Sequence, residues 1–245
     1  ITLPIDDFFK FDQKALVSAT PIELNDPRFK EQNFQTIEIQ PTFDYKKEIW
    51  LHHTNNTLQA FKNVLSKLNN EEAAPLPICV FINSTDIIYS LMKQLDLLEE
   101  SAVFCAPKSV DKLKKNRFCN VYEQWNKDKM KRYNFFTSRF FNAVDMELEE
   151  QPHVIMLTDV YFAEHTMIDP YTDAIQIVGR FRNGVSSITY ISNTKKGLPQ
   201  RSKEEIKGYL ICSKEIYRTM KNFYDCATDR ASRDAYRAAL ESLPF

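Results

Sequence analysis

Five short apolar runs constrain this chain more than anything else in it. PLPICVFIN (75–83) is a continuous apolar stretch bounded by prolines and by Asn83-Ser84. SAVFCA (101–106), YNFFTS (133–138), VIMLTD (154–159) and SSITYIS (186–192) follow it. A run like the first suits a strand buried on both faces of a parallel sheet. Helix-spaced segments separate the runs. From 54 to 69 the apolar residues fall at 58, 61, 64, 65 and 68. From 84 to 99 a helix capped by Ser84 or Thr85 buries Ile87, Ile88, Leu91, Met92, Leu95 and Leu98. Strands alternating with helices predict an α/β domain with a mostly parallel sheet. Its strand ends line one edge, where such folds bind ligands, and Asn83-Ser84, Thr137-Ser138 and Asp159 fall there.

Residues 169–184, DPYTDAIQIVGRFRNG, read as a helix with both ends written in. Asp169 can cap the first turn, Pro170 suits the first helical position, and Asn183-Gly184 supply a left-handed stop. Ala174, Ile177, Val178 and Phe181 share one face of an ideal helix, and Gln176 and Arg180 share another. Gly179 removes a side chain where a backbone or ligand can come close. Elsewhere, KALVS (14–18) and FQTIEIQP (34–41) read as strands, and 22–33 as a polar linker carrying Pro27. Beyond about residue 196 the texture changes to a linker and then two or three helices.

Composition excludes several classes. At 245 residues the chain holds one large domain, or one and a half smaller ones. A formal net charge of −1 means that any nucleic-acid contact must come from a local patch. No apolar run approaches the roughly 20 residues needed to span a bilayer, and no signal-peptide pattern is present. The five cysteines are odd in number and never C-x-x-C, which argues for reduced thiols in the cytoplasm and against a zinc site. His52, His53, His153 and His165 stand at no metal-ligand spacing and read as structural or surface residues. The chain opens at Ile1 rather than Met, which hints at a fragment. Residues 107–132 carry nine Lys or Arg against three acids, with Phe118, Tyr122 and Trp125 interleaved. They read either as a nucleic-acid track or as a solvated face with its aromatics packed inward.

Four segments, in order, resemble a known set. LVSATP resembles helicase motif III, VFINST motif IV, TSRFFNAVD motif V and QIVGRFR motif VI. Together they resemble the C-terminal RecA-like lobe of superfamily-2 (DEAD/DEAH-like) helicases and translocases over roughly residues 14–192. The resemblance implies 1–33 as the end of a first lobe with an interlobe linker, 34–195 as the C-terminal RecA-like domain, and 196–245 as a helical extension. It also implies roles. Ser18 and Thr20 would couple nucleotide state to nucleic acid. Ser84, Thr85, Thr137 and Ser138 would grip the phosphates of a DNA or RNA backbone. Asp145 would lie near the nucleotide ribose or hold an arginine in place, with Gly179 beside the nucleotide. Arg180, sharing its face with Gln176, would be the arginine finger, worth about 10³–10⁵ in rate.

Two residues depart from the family pattern. Ala143 stands where motif V usually has Gly. The second arginine of motif VI usually follows the first by three residues, but that position is Asn183. Arg182 lies about 160° from Arg180 on an ideal helix. Either the helix loosens before Arg182 or the second finger is missing. No G-x-x-x-x-G-K-[ST] phosphate loop and no D-E-x-[DH] box for Mg²⁺ occurs. ATP and Mg²⁺ would therefore be held mainly by an N-terminal RecA-like lobe of the same protein, and this chain alone is expected to be inactive. The rival reading is a catalytically silent, helicase-like module that grips nucleic acid or a partner without turnover.

Overall fold

The computed structural model describes all residues except 1–4, 19–23, 25, 41, 43–45, 71–74, 143, 196, 198–200, 244 and 245. The chain divides into two compact units, Ile1–Lys195 and Lys196–Phe245. The first is built on a seven-stranded sheet of β1 (Trp50–His53), β2 (Ile78–Phe81), β3 (Ser101–Phe104), β4 (Val121–Tyr122), β5 (Tyr133–Phe136), β6 (His153–Thr158) and β7 (Ser187–Ser192). The spatial order is β1-β7-β6-β2-β5-β3-β4, and every pair is parallel. The expected α/β architecture, a parallel sheet flanked by helices and followed by C-terminal helices, is the one observed.

Side chains alternate across a strand, and here the alternation divides the core in two. Ile78, Val80, Val103, Phe135 and Ile155 face one side, where they meet α3 (Thr57–Asn70), α4 (Thr85–Gln94) and α5 (Pro107–Lys115) through Phe61, Leu91 and Leu113. Cys79, Phe81, Phe104, Phe136 and Met156 face the other. That side is covered by the short helix α6 (Asp173–Gly179) and by the irregular segments around Phe140, Met146 and Ile168. Register places Phe136 opposite both Phe81 and Phe104. The three rings stack at 5.0 Å and 4.9 Å, forming an aromatic ladder across β2, β5 and β3.

In the N-terminal part, α1 (Ile5–Phe8) and α2 (Pro27–Glu31) meet in a cluster of Phe8, Phe9, Phe29 and Phe34. Asp26 caps α2, and Arg28 lies 4.4 Å above the Phe9 ring while pairing with Asp6 and Asp26. The supposed linker thus holds a helix. The two strands expected nearby are absent: 14–18 and the described part of 34–41 run without regular structure, and Ile37 and Ile39 are 81% and 87% exposed. Alternation gives a segment two faces, but a strand also needs an edge to pair with. The edge beside β7 is occupied by β1.

In the second unit, α7 (Lys203–Cys226) opens with a Ser202/Glu205 capping box, and α8 (Arg230–Glu241) is capped by Asp229. Phe223 stacks on Tyr236 and Arg237 donates to the Tyr224 hydroxyl, closing the pair into a hairpin. Among the described residues no helix is long and apolar enough to cross a membrane.

Candidate functional site

The central strands release their chains into one cleft of about 530 Å³. Ser84 and Thr85 follow β2, Ala106 and Ser109 follow β3, Thr137, Ser138 and Arg139 follow β5, and Phe162, Ala163 and His165 follow β6. All four residues expected to grip phosphates therefore line this one cleft. Ser84 is the N-cap of α4, but its hydroxyl accepts from the Ile87 amide at a long 3.4 Å. A cap that weak leaves much of the oxygen's capacity open. Thr137 precedes a 3-10 turn, Ser138–Phe140, and makes no capping bond with its side chain.

Asn83 holds the loops together. Its amide donates to the His165 carbonyl (3.1 Å) and its oxygen accepts from the Ser138 amide (3.4 Å). The sequence marks Asn83 only as a strand end, because its partners are 55 and 82 residues away. Asp159, at the end of β6, is another hidden brace. This buried carboxylate accepts from Thr57 (2.8 Å) and Asn193 (2.7 Å). Arg139 brings positive charge to the cleft and Asp86 negative, the latter paired with Lys112 at 2.6 Å. Burial pushes the Cys105 thiol up to about 12, with Arg139 pulling against that shift.

The second site is made where 145–147 meets the end of α6. Asp169 caps as expected, accepting from the amides of Tyr171 and Thr172, but it caps a turn, and the helix starts only at Asp173. Ala174, Ile177 and Phe181 are buried as expected, with Val178 packed beside them. The other end departs from the sequence reading, because α6 stops at Gly179 instead of running to Asn183. The Phe181 ring seats edge-on against Phe81 (6.1 Å, 89°), and its backbone bridges Met146 in parallel. The Met146 amide donates to Arg180 O (2.7 Å) and the Arg182 amide to Met146 O (3.3 Å). Gly184 keeps its left-handed φ of +87°, closing a turn onto Phe181 O instead of the helix.

This ending settles the question of facing. The chain leaves the helix after Gly179, Arg180 keeps helical backbone angles, Phe181 enters the core and bridges Met146, and the turn that follows carries Arg182 to the same carboxylate as Arg180. The separation of about 160° holds only for an unbroken helix. Arg182 Nη2 reaches both Asp145 oxygens, at 2.9 and 2.8 Å. Arg180 Nη1 reaches Asp145 Oδ1 at 3.4 Å and the Asn142 carbonyl at 3.3 Å. Gln176 completes the group: its carbonyl takes Arg180 Nε (3.0 Å) and its side-chain oxygen takes Nη2 (3.2 Å). Gly179 stands beside open space, since a Cβ built there meets nothing within 4 Å.

The remaining candidates fare unevenly. Ser18 lies in the irregular stretch before 19–23, while Thr20 and Ala143 fall outside the described residues. In the basic stretch, Phe118 is buried and Tyr122 and Trp125 pack against the core, so these aromatics face inward. Lys127 pairs with Glu149, and Lys131 donates to the Glu99 carbonyl. His153 and His53 hydrogen-bond Ser187 and Ser192 on β7, which is structural work. Among the described residues no group of three or more His, Cys, Asp or Glu stands together to hold a metal ion.

No protein-family profile matches the sequence, and no curated protein sequence does. Among solved structures, the C-terminal domain of the DEAD-box protein Dbp5 is similar at 13% identity, over 69% of this chain and 84% of that one, with a TM-score of 0.36. An overlap that loose says nothing of what individual residues do.

Proposed function

We propose that this chain is a motor lobe of an ATP-dependent nucleic-acid helicase or translocase. One observation supports the reading most. The stretches resembling motifs V and VI, which contribute Asp145 and Arg180 from 35 residues apart, meet in space and bring Gln176, Arg180, Asp145 and Arg182 together. ATP and Mg²⁺ would be held mainly by another lobe, and the chemistry supplied there would be transfer of the γ-phosphoryl group to water. This chain's part is electrostatic. Arg180 is fixed by Gln176 and the Asn142 carbonyl before any ligand arrives, so little reorganisation is needed when charge develops on the phosphoryl oxygens. Arg182, on the same carboxylate, adds a second positive charge. The cleft hydroxyls and Arg139 hold backbone phosphates of DNA or RNA, which positions a strand without reading its sequence.

The test is hydrolysis by the intact protein. Arg180→Ala should cut the nucleic-acid-stimulated ATPase rate by about 10³ or more while leaving ATP affinity largely intact, because a finger acts on the transition state. Arg182→Ala should slow it too, by less, since Arg182 is half exposed and held through one amino group. If neither substitution slows hydrolysis, the motor reading fails, and nucleic-acid binding without turnover would favour the silent module. The chain alone should show no ATPase activity.

A further inference from the structure

Two guanidiniums from the end of α6 converge on one carboxylate, so the Arg180–Asp145–Arg182 group carries one net positive charge with an anion already seated in it. The two arginines are held differently. Arg180 is 15% exposed and keeps three hydrogen bonds to Gln176 O, Gln176 Oε1 and Asn142 O that do not involve Asp145. Arg182 is 50% exposed, and among the described residues its side-chain hydrogen bonds run from Nη2 to Asp145 alone. Asp145 is itself 49% exposed. A half-exposed ion pair is weak, so this carboxylate can leave, whereas Arg180 would stay in place without it.

We propose that Asp145 is a built-in plug: its carboxylate occupies an oxyanion site formed by Arg180 and Arg182, and a polyphosphate must displace it to bind. Planar guanidiniums donate to carboxylate and phosphate oxygens with the same N–H groups. A group with two or more negative charges in place of one gains more from the paired arginines than Asp145 does. Gly179 leaves open space at the site's edge for such a ligand. The apparent affinity of the site is its intrinsic affinity multiplied by the fraction of time the plug is out. Asp145 therefore sets the threshold for phosphate engagement and keeps the arginines from being captured by stray anions. The inference rests on the motor reading only in taking the ligand to be a polyphosphate.

The experiment uses the 245-residue chain and inorganic tripolyphosphate, titrated by calorimetry at fixed low salt, so that neither hydrolysis nor another lobe is involved. Asp145→Asn should bind about tenfold more tightly than the unsubstituted chain, as expected for a plug closed about nine-tenths of the time. Asp145→Ser, which cannot bridge both arginines, should show the same gain, and thermal melting of both variants reports that the fold is kept. Adding Arg182→Ala to Asp145→Asn should abolish the gain. Equal or weaker binding by both Asp145 variants would overturn the plug and make the carboxylate a fixed support. Undetectable binding in all forms would overturn the oxyanion site itself. Loss of the motor reading would show instead as absent ATPase in the intact protein with the tripolyphosphate ranking unchanged.

Discussion

The two faces of the sheet are covered in opposite ways. On one, α3, α4 and α5 lay regular helices over a largely aliphatic core, which buries three phenylalanines. Among the described residues the other is covered by the seven-residue α6, the 3-10 turn Ser138–Phe140 and irregular chain, and it buries six. Irregular backbone cannot interdigitate side chains in repeating ridges, and flat rings cover the sheet in place of that packing. The regular face contributes the expected capping serine, Ser84. The irregular face carries Asp145, Gln176, Arg180 and Arg182. Between 161 and 175, Tyr161, Phe162, Met167, Tyr171 and Ile175 are exposed at 49–79%. Regularity and chemistry are divided between the faces, because a helix fixes its side chains at 100° steps, whereas the chain that leaves α6 after Gly179 brings Arg180 and Arg182 to one carboxylate.

Truncating one buried ring on each face tests that division. Phe61→Ala and Phe181→Ala should each cost about 3–5 kcal/mol of stability, read from denaturant melts. Only Phe181→Ala should also disturb tripolyphosphate binding in the protein that remains folded, because Phe181 sets where its two neighbours point. Equal effects on binding would mean that the faces are not separable.

A smaller effect is expected in the cleft. Ser84→Ala with Thr137→Ala should weaken single-stranded nucleic-acid binding by the intact protein about 10- to 100-fold, as suits one or two hydrogen bonds to charged phosphate. The loss should be similar for different sequences at matched salt. Unchanged affinity would reduce these hydroxyls to caps and leave the irregular face as the sole candidate site.

The smallest effect concerns Gly179. With nothing within 4 Å of its missing Cβ, Gly179→Ala should stabilise the chain by about 0.5–1 kcal/mol through helix propensity. If the open space beside it serves a ligand, the same change should weaken tripolyphosphate binding. Gain of stability without loss of binding would separate the glycine from the site.

What the sequence made legible follows the same division. The buried strands β2, β3, β5, β6 and β7 showed as apolar runs because both of their faces are covered. The edge strands β1 and β4 did not: WLHH is exposed along its length, and Val121–Tyr122 is only two residues long. At 34–40 alternation was present and a strand was not. The arginine pair was half legible. Gln176 and Arg180 share a helical face as the period predicts. The convergence of Arg182 depends on Met146, a pairing 35 residues away that local spacing does not encode.

Asn83 has one further consequence. It ties the Ser138 amide to the His165 carbonyl, so the loops after β2, β5 and β6 share one fastening. Loops pinned separately would open separately, each with its own rate of hydrogen exchange. Fastened through one amide side chain, they form a single cooperative unit, and anything that holds one of them slows the opening of all three.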